Sequence, residues 1–303
     1  MGKVVRLRRR ESMSKIWLEA AINGPWTRKN QPAIPVAPEE IAADCIACAK
    51  AGAAIVHFHP YDVNTGLQVD TTDAYAEVIE RVRAVDEKVI IYGTLPMAGL
   101  PNVSDTMSPA QRFAHVKGLA ERGLIEWSVV DPGSTNITHD AWIAEGREGF
   151  TYLNPESHVR YGLELCAEKG LHPSYAIYEP GFIRQGAALH RATSGCPTPL
   201  YRYMFSDSLT FSFPPELYAL EAYNRLREAE APGTPWMVAG LAVDIRPLIA
   251  PAVERGGHVR VGLEDQPFGA ETTNVALVEE AARLIEAAGG TLATPDEVRA
   301  GLR

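Results

Sequence analysis

Two histidines stand two residues apart in the run AAIVHFHP, at His57 and His59. Side chains two apart on a strand point to the same side, so both imidazoles can reach one cation. The apolar residues just before them place the pair where a strand leaves the core. Glu264-Asp265 follows a second apolar run, HVRVGL at 258–263. Two imidazoles and one carboxylate leave a coordination position open, as catalytic zinc requires, and the same donors suit iron(II). Further polar residues end other apolar runs: Glu19, Gly93-Thr94, Asp131-Pro132-Gly133-Ser134, Glu179, Asp207 and Asp244. Groups of this kind build a poor core and a natural pocket lining. No Ser/His/Asp or Cys/His arrangement competes with them. Cys45 and Cys48 form a C-x-x-C, but inside a helical stretch, where they read as small buried residues.

The elements that must position these residues alternate along the whole chain. Strand patterns fall at 16–22, 53–59, 88–94, 125–130, 174–179, 201–206, 236–241 and 258–263. Helical patterns fall at about 38–50, 72–84, 109–121, 156–169, 181–190, 215–229, 245–254 and 272–287, with a last short helix capped by Thr294. Eight strands alternating with eight helices is the count of a (β/α)₈, or TIM, barrel. An open doubly wound sheet is the alternative, but it usually carries G-x-G-x-x-G after its first strand, and Asn23-Gly24-Pro25 stands there. In a barrel the active site gathers at the C-terminal ends of the strands. Closure makes the second and eighth strands both neighbours of the first. His57, His59, Glu19 and Glu264 are thereby expected close together, although some 200 residues separate them in the chain.

Composition narrows the partners. Apolar residues are 46% and charged residues 22%, enough for a sizeable core. A formal charge of −9 argues against nucleic acid, whose phosphates need a basic surface. No run of about 18 apolar residues predicts a membrane span. The basic start, residues 1–15, reads as a solvated extension, with a transit segment as second option, and 16–303 as one barrel domain. Four cysteines suggest no disulfide framework, and the expected location is the cytoplasm. Two glycosylation-type triplets begin at Asn102 and Asn136, with little meaning absent a secretory signal.

The pieces AAINGPWTRKNQPAIPVAPEEIA, GAAIVHFHP, DPGSTN, GGHVRVGLEDQ and TTNVALVEEAARLI, in this order, resemble the β-keto acid cleavage enzyme family from about residue 16 onward. The resemblance implies a zinc-bearing barrel that cleaves a β-keto acid with acetyl-CoA, giving acetoacetate and a new acyl-CoA. It implies His57, His59 and Glu264 as metal ligands, Asp265 as general base and Arg260 as its charge partner. Glu19, Gly93, Thr94 and Asp131 would line the substrate pocket, and a homotetramer or homodimer is expected. Two positions depart from the family pattern. Gly93-Thr94-Leu95-Pro96 replaces a Ser-Thr-Gly-Gly run, and Pro96 has no N–H to offer a substrate. Asp131 replaces a neutral residue, which favours a substrate bearing an amine or quaternary ammonium group. Arg184 and Arg191 could meet CoA phosphates, although solvated helix arginines explain them as well. The altered third-strand loop also leaves room for a metal-dependent carbon–carbon lyase of class II aldolase type, or a β-diketone hydrolase, neither using CoA.

Overall fold

A computed structural model describes residues 14–97, 107–211 and 213–302. Most of the predicted N-terminal extension and the triplet at Asn102 lie outside them. The strands are β1 (Lys15–Ile16), β2 (Leu18–Ala21), β3 (Ile55–Phe58), β4 (Ile90–Gly93), β5 (Trp127–Val129) and β6 (Thr135–Ile137). They continue with β7 (Phe150–Tyr152), β8 (His172–Ile177), β9 (Leu200–Phe205), β10 (Trp236–Gly240), β11 (His258–Val261) and β12 (Thr291–Leu292). The helices are α1 (Pro38–Lys50), α2 (Thr72–Arg83), α3 (Pro109–Arg112), α4 (Ala114–Glu121), α5 (Asp140–Ala144) and α6 (Glu156–Lys169). After them come α7 (Pro180–Ala192), α8 (Leu217–Glu230), α9 (Arg246–Glu254), α10 (Asn274–Ala287) and α11 (Pro295–Gly301).

Eight strands form one parallel sheet in the order β4-β3-β2-β11-β10-β9-β8-β5. The outer pair, β4 and β5, pack side by side and bring the ring almost to closure. This is the (β/α)₈ barrel expected from the alternation. Its strands read as apolar runs because helices cover them outside and side chains fill them inside. Leu18, Ile55, Val56, Ile90, Ile91 and Val259 are all fully buried.

Local signals explain the helix starts. Pro38 opens α1, and the Glu40 carboxylate accepts from the free N–H groups of Val36 and Ala37 at 3.0 and 3.1 Å. Thr71, Thr273 and Thr294 cap α2, α10 and α11. The helix expected over 109–121 is broken at Phe113, whose buried ring separates α3 from α4. Two features lay outside the alternation. Lys15–Ile16 pairs in parallel with Thr291–Leu292, so Lys15 belongs to the fold and not to an extension. After β5, the chain inserts an antiparallel hairpin, β6 against β7, which returns Tyr152 to the mouth of the barrel. No helix among the described residues is long and apolar enough to cross a membrane.

Candidate active site

The ladder around β2 assembles the site. Ala21 is the register partner of His57, and Glu19 that of Arg260, so β3, β2 and β11 deliver their polar residues to one place. His57 sits on β3 and His59 just beyond its end, where Asn23 clamps the backbone. The Asn23 amide donates to His59 O at 2.8 Å, and its carbonyl oxygen accepts from His59 N at 2.9 Å. Glu264 is placed by a break in β11. Gly262 has φ +154, and a Cβ there would lie 1.9 Å from Ala21 O, so only glycine lets the chain turn inward. Trp26 Nε1 then donates to Glu264 O at 2.8 Å, and Asn274 Oδ1 accepts from Leu263 N at 2.7 Å. The turn is held from both sides.

His57 Nε2 lies 3.6 Å from Glu264 Oε2, and His59 Nε2 lies 3.5 Å from Glu264 Oε1. Donor atoms of a tetrahedral zinc, bound at about 2.0–2.1 Å, lie roughly 3.4 Å apart. The three side chains are buried, and one donor atom from each lies within 4.8 Å of the others. His59 Nε2 and Glu264 Oε2 are sealed from solvent with no hydrogen-bond partner among the described residues. Orphaned polar atoms of this kind are costly, and a cation would satisfy them together. The residues therefore fit a metal. Burial pushes the His57 imidazole well below its usual range, which leaves one ring nitrogen with a lone pair to offer. For Glu264 burial acts upward, but the adjacent Arg260 guanidinium outweighs it and holds the carboxyl well below the ordinary range.

Arg260 organises the acids. Its Nε and Nη2 donate to the Asp265 carboxylate at 3.0 and 2.8 Å, while Nη1 donates to Glu19 Oε1 at 3.2 Å. Nη2 also stands 2.7 Å from Glu264 Oε1. Burial raises the Asp265 carboxyl, Arg260 opposes the rise, and the neighbouring Glu264 and Glu19 reinforce it, leaving it at about 6. Glu19 is also bonded by Tyr92 Oη at 2.9 Å.

The cavity above these groups is lined by His57, His59, Thr94, Asp131, Arg260 and Glu264, with Tyr152, Tyr178, Arg202 and several apolar side chains. Glu19 and Asp265 lie one layer behind that wall, fully buried, and reach it through Arg260. Gly93 does not line it either. A Cβ there would stand 2.1 Å from the Tyr75 ring, so its smallness lets that ring pack. Asp131 does line the cavity, but Oδ2 accepts from Tyr152 Oη at 2.7 Å and Oδ1 from Ala176 N at 2.8 Å.

Three acids expected at strand ends fall elsewhere. Asp207 is exposed, Asp244 is tied to Arg246 two residues on, and Glu179 begins α7 while accepting from Thr135 Oγ1 at 3.0 Å. Arg184 and Arg191 pair with Glu230 on the outer helices. Cys45 and Cys48 are buried on α1, as their helical setting implied.

Sequence reasoning missed the other half of the site. Arg202 had a signal, a lone arginine in the apolar strand LYRYMF. Gln68 and the hairpin residue Tyr152 had none. His59 Nδ1 lies 2.7 Å from Gln68 Oε1, whose amide donates to Asp70, which Tyr75 Oη also bonds.

Comparison with known proteins agrees with this architecture. The chain is 27% identical over 304 residues to the 3-dehydrocarnitine:acetyl-CoA trimethylamine transferase of Rhizobium meliloti (strain 1021), covering 95% of this chain and 96% of that one. It is 26% identical to the 3-keto-5-aminohexanoate cleavage enzyme of Fusobacterium nucleatum, with 95% and 97% covered. A solved apo structure of ObcA superposes with a TM-score of 0.70 at 17% identity, over 89% of this chain and 65% of ObcA, and shares the fold. The family described as beta-keto acid cleavage enzyme matches residues 15–303. The chain belongs to the β-keto acid cleavage enzyme family, and is a carbon–carbon bond-cleaving enzyme of it.

Proposed function

We propose that this enzyme exchanges acyl groups between a β-keto acid and acetyl-CoA, releasing acetoacetate and a new acyl-CoA. The observation that carries the reading is the buried set of His57, His59 and Glu264 standing directly against the Arg260–Asp265 pair. A divalent cation held there, with zinc as the proposed metal, would supply Lewis-acid polarisation of the substrate's keto and carboxylate oxygens.

The chain's own groups supply the rest. Asp265, at about 6, is suited to accept a proton near neutral pH, and we assign it the C2 proton of the β-keto acid. Arg260 holds that carboxylate in place and balances its charge while it is ionised. Their bidentate bond lies behind the cavity wall, so proton transfer requires the Asp265 carboxylate to turn toward the cavity when substrate docks. The C2 carbanion then attacks the thioester carbonyl of acetyl-CoA. Coenzyme A passes to the original acyl carbon, and the bond between that carbon and C2 breaks. The acetyl group stays on C2, which takes its proton back from Asp265 to give acetoacetate, so atoms balance without a covalent enzyme intermediate. Thr94 and Asp131 face the substrate, with Glu19 bonding Arg260 from behind. Asp131 selects a cationic substituent at the far end, a reading supported by the amine and trimethylamine in the relatives' names.

Metal analysis of purified protein, followed by pooled β-keto acids with and without acetyl-CoA, tests this. Zinc at one equivalent per chain, and acetoacetate only when acetyl-CoA is added, is the expected result. Cleavage without acetyl-CoA would establish the lyase or β-diketone hydrolase reading in its place.

A further inference from the structure

Arg202 is a buried cation without a matching bond. It stands in the middle of β9, where Tyr203 packs outward against Tyr223 of α8, while Arg202 and Met204 line the cavity. The side chain is 4% exposed. Its guanidinium makes no hydrogen bond to any described residue, and Nε is sealed from solvent without a partner. Its one ion pair is loose, Nη1 to Glu19 Oε1 at 3.9 Å, and that oxygen already accepts from Arg260 at 3.2 Å and from Tyr92 at 2.9 Å. Of the acids on the cavity wall itself, Glu264 pairs with Arg260 at 2.7 Å, and Asp131 has an oxygen each on Tyr152 and Ala176. A guanidinium offers five N–H donors in a fixed fork matched to a carboxylate, and a buried one left unmatched is costly. It lies in the same cavity as the metal cradle, so one small molecule can meet both.

We infer that Arg202 is the carboxylate-binding residue of this cavity, taking an oxygen of a small β-keto carboxylate that also reaches His57, His59 and Glu264. The inference rests on the β-keto acid reading for the identity of the ligand, while the recognition of a carboxylate follows from the unmatched guanidinium itself. Arg202 touches substrate without exchanging protons with it, so it is a binding and positioning group.

The test is calorimetric titration of metal-loaded protein with acetoacetate, which has one carboxylate, and with 3-oxoglutarate, which has two, in the absence of acetyl-CoA. Wild type is compared with R202M, with R202K and with the double variant R202M/E19Q, metal content and melting temperature being measured for each. The expected result is at least tenfold weaker binding in R202M, a smaller loss in R202K because a point charge replaces the planar fork, and no recovery in R202M/E19Q. A loss with both ligands places Arg202 on the carboxylate that acetoacetate also has, and a loss with 3-oxoglutarate alone places it on the second carboxylate, where acetoacetate has a methyl group. If Arg202 merely balances Glu19, the double variant restores tight binding and the inference falls. It falls equally if every variant binds like wild type, or if wild type binds neither ligand. Binding that depends on Arg202, with no acetoacetate formed from the pooled β-keto acids and acetyl-CoA, would refute the proposed reaction and leave this assignment standing.

Discussion

His59 can offer a metal only one nitrogen, because the other faces Gln68. With Gln68 Oε1 as acceptor, His59 Nδ1 carries the proton and Nε2 keeps its lone pair toward Glu264. Partners of this kind fix the tautomer and ring orientation of a ligating histidine, and their loss costs about 10–100-fold in metal affinity. Gln68→Ala is expected to weaken zinc by that factor in a chelator competition, with an unchanged far-ultraviolet spectrum since Gln68 is only half-buried. Asp131 makes a different prediction. An asparagine there can still accept from Ala176 N, and the Tyr152 hydroxyl can turn from donor to acceptor. Asp131→Asn should therefore fold with a stability change below about 1 kcal/mol. It should lose about tenfold in kcat/KM for cationic β-keto acids relative to neutral ones. An unchanged preference across that panel would remove Asp131 from substrate selection.

At the scale of elements, the end of β11 sets the position of Glu264. Gly262→Ala puts a methyl group into Ala21 O on the neighbouring strand and forces a residue with a Cβ to φ +154. The variant should lose about 3 kcal/mol or more of unfolding free energy and most of its metal, read by urea denaturation and metal analysis. The same strands show what the amino-acid pattern carries. Alternation along AAIVHFH puts His57 and His59 on one side, and ring closure brings Glu264 beside Glu19. These follow from period and count alone. Arg202 was passed over because one arginine in an apolar strand is as consistent with an edge as with a floor, and only the register across β8, β9 and β10 decides. Gln68 and Tyr152 reach the site from loops, where no periodicity constrains side-chain direction. Asp244 was misplaced for a local reason: Arg246, two residues on, satisfies it outside the cavity.

Across the whole molecule, the mouth of the barrel concentrates buried charge that the fold alone leaves unbalanced. Glu19, Asp131, Glu264 and Asp265 are all buried, against Arg202, Arg260 and the nearby Arg112, which donates to the backbone carbonyls of Pro96 and Leu153. Burial holds His57 neutral, so it adds no positive charge. Carboxylates confined in a low-dielectric interior repel one another, and the folded state carries that cost whenever no cation neutralises it. The unfolded chain separates the same groups in water and has no assembled cradle. A divalent cation should therefore bind the native state almost exclusively and stabilise it by mass action, by about 2.7 kcal/mol at a hundredfold excess over its dissociation constant. For a chain of this size that is a rise of roughly 4 °C in melting temperature. Chelator-treated protein should melt lower by that amount and recover on adding zinc. Glu264→Gln keeps the shape of the side chain but removes the anionic ligand. Its melting temperature should not respond to zinc, and a response as large as wild type would place the stabilising cation elsewhere in the molecule.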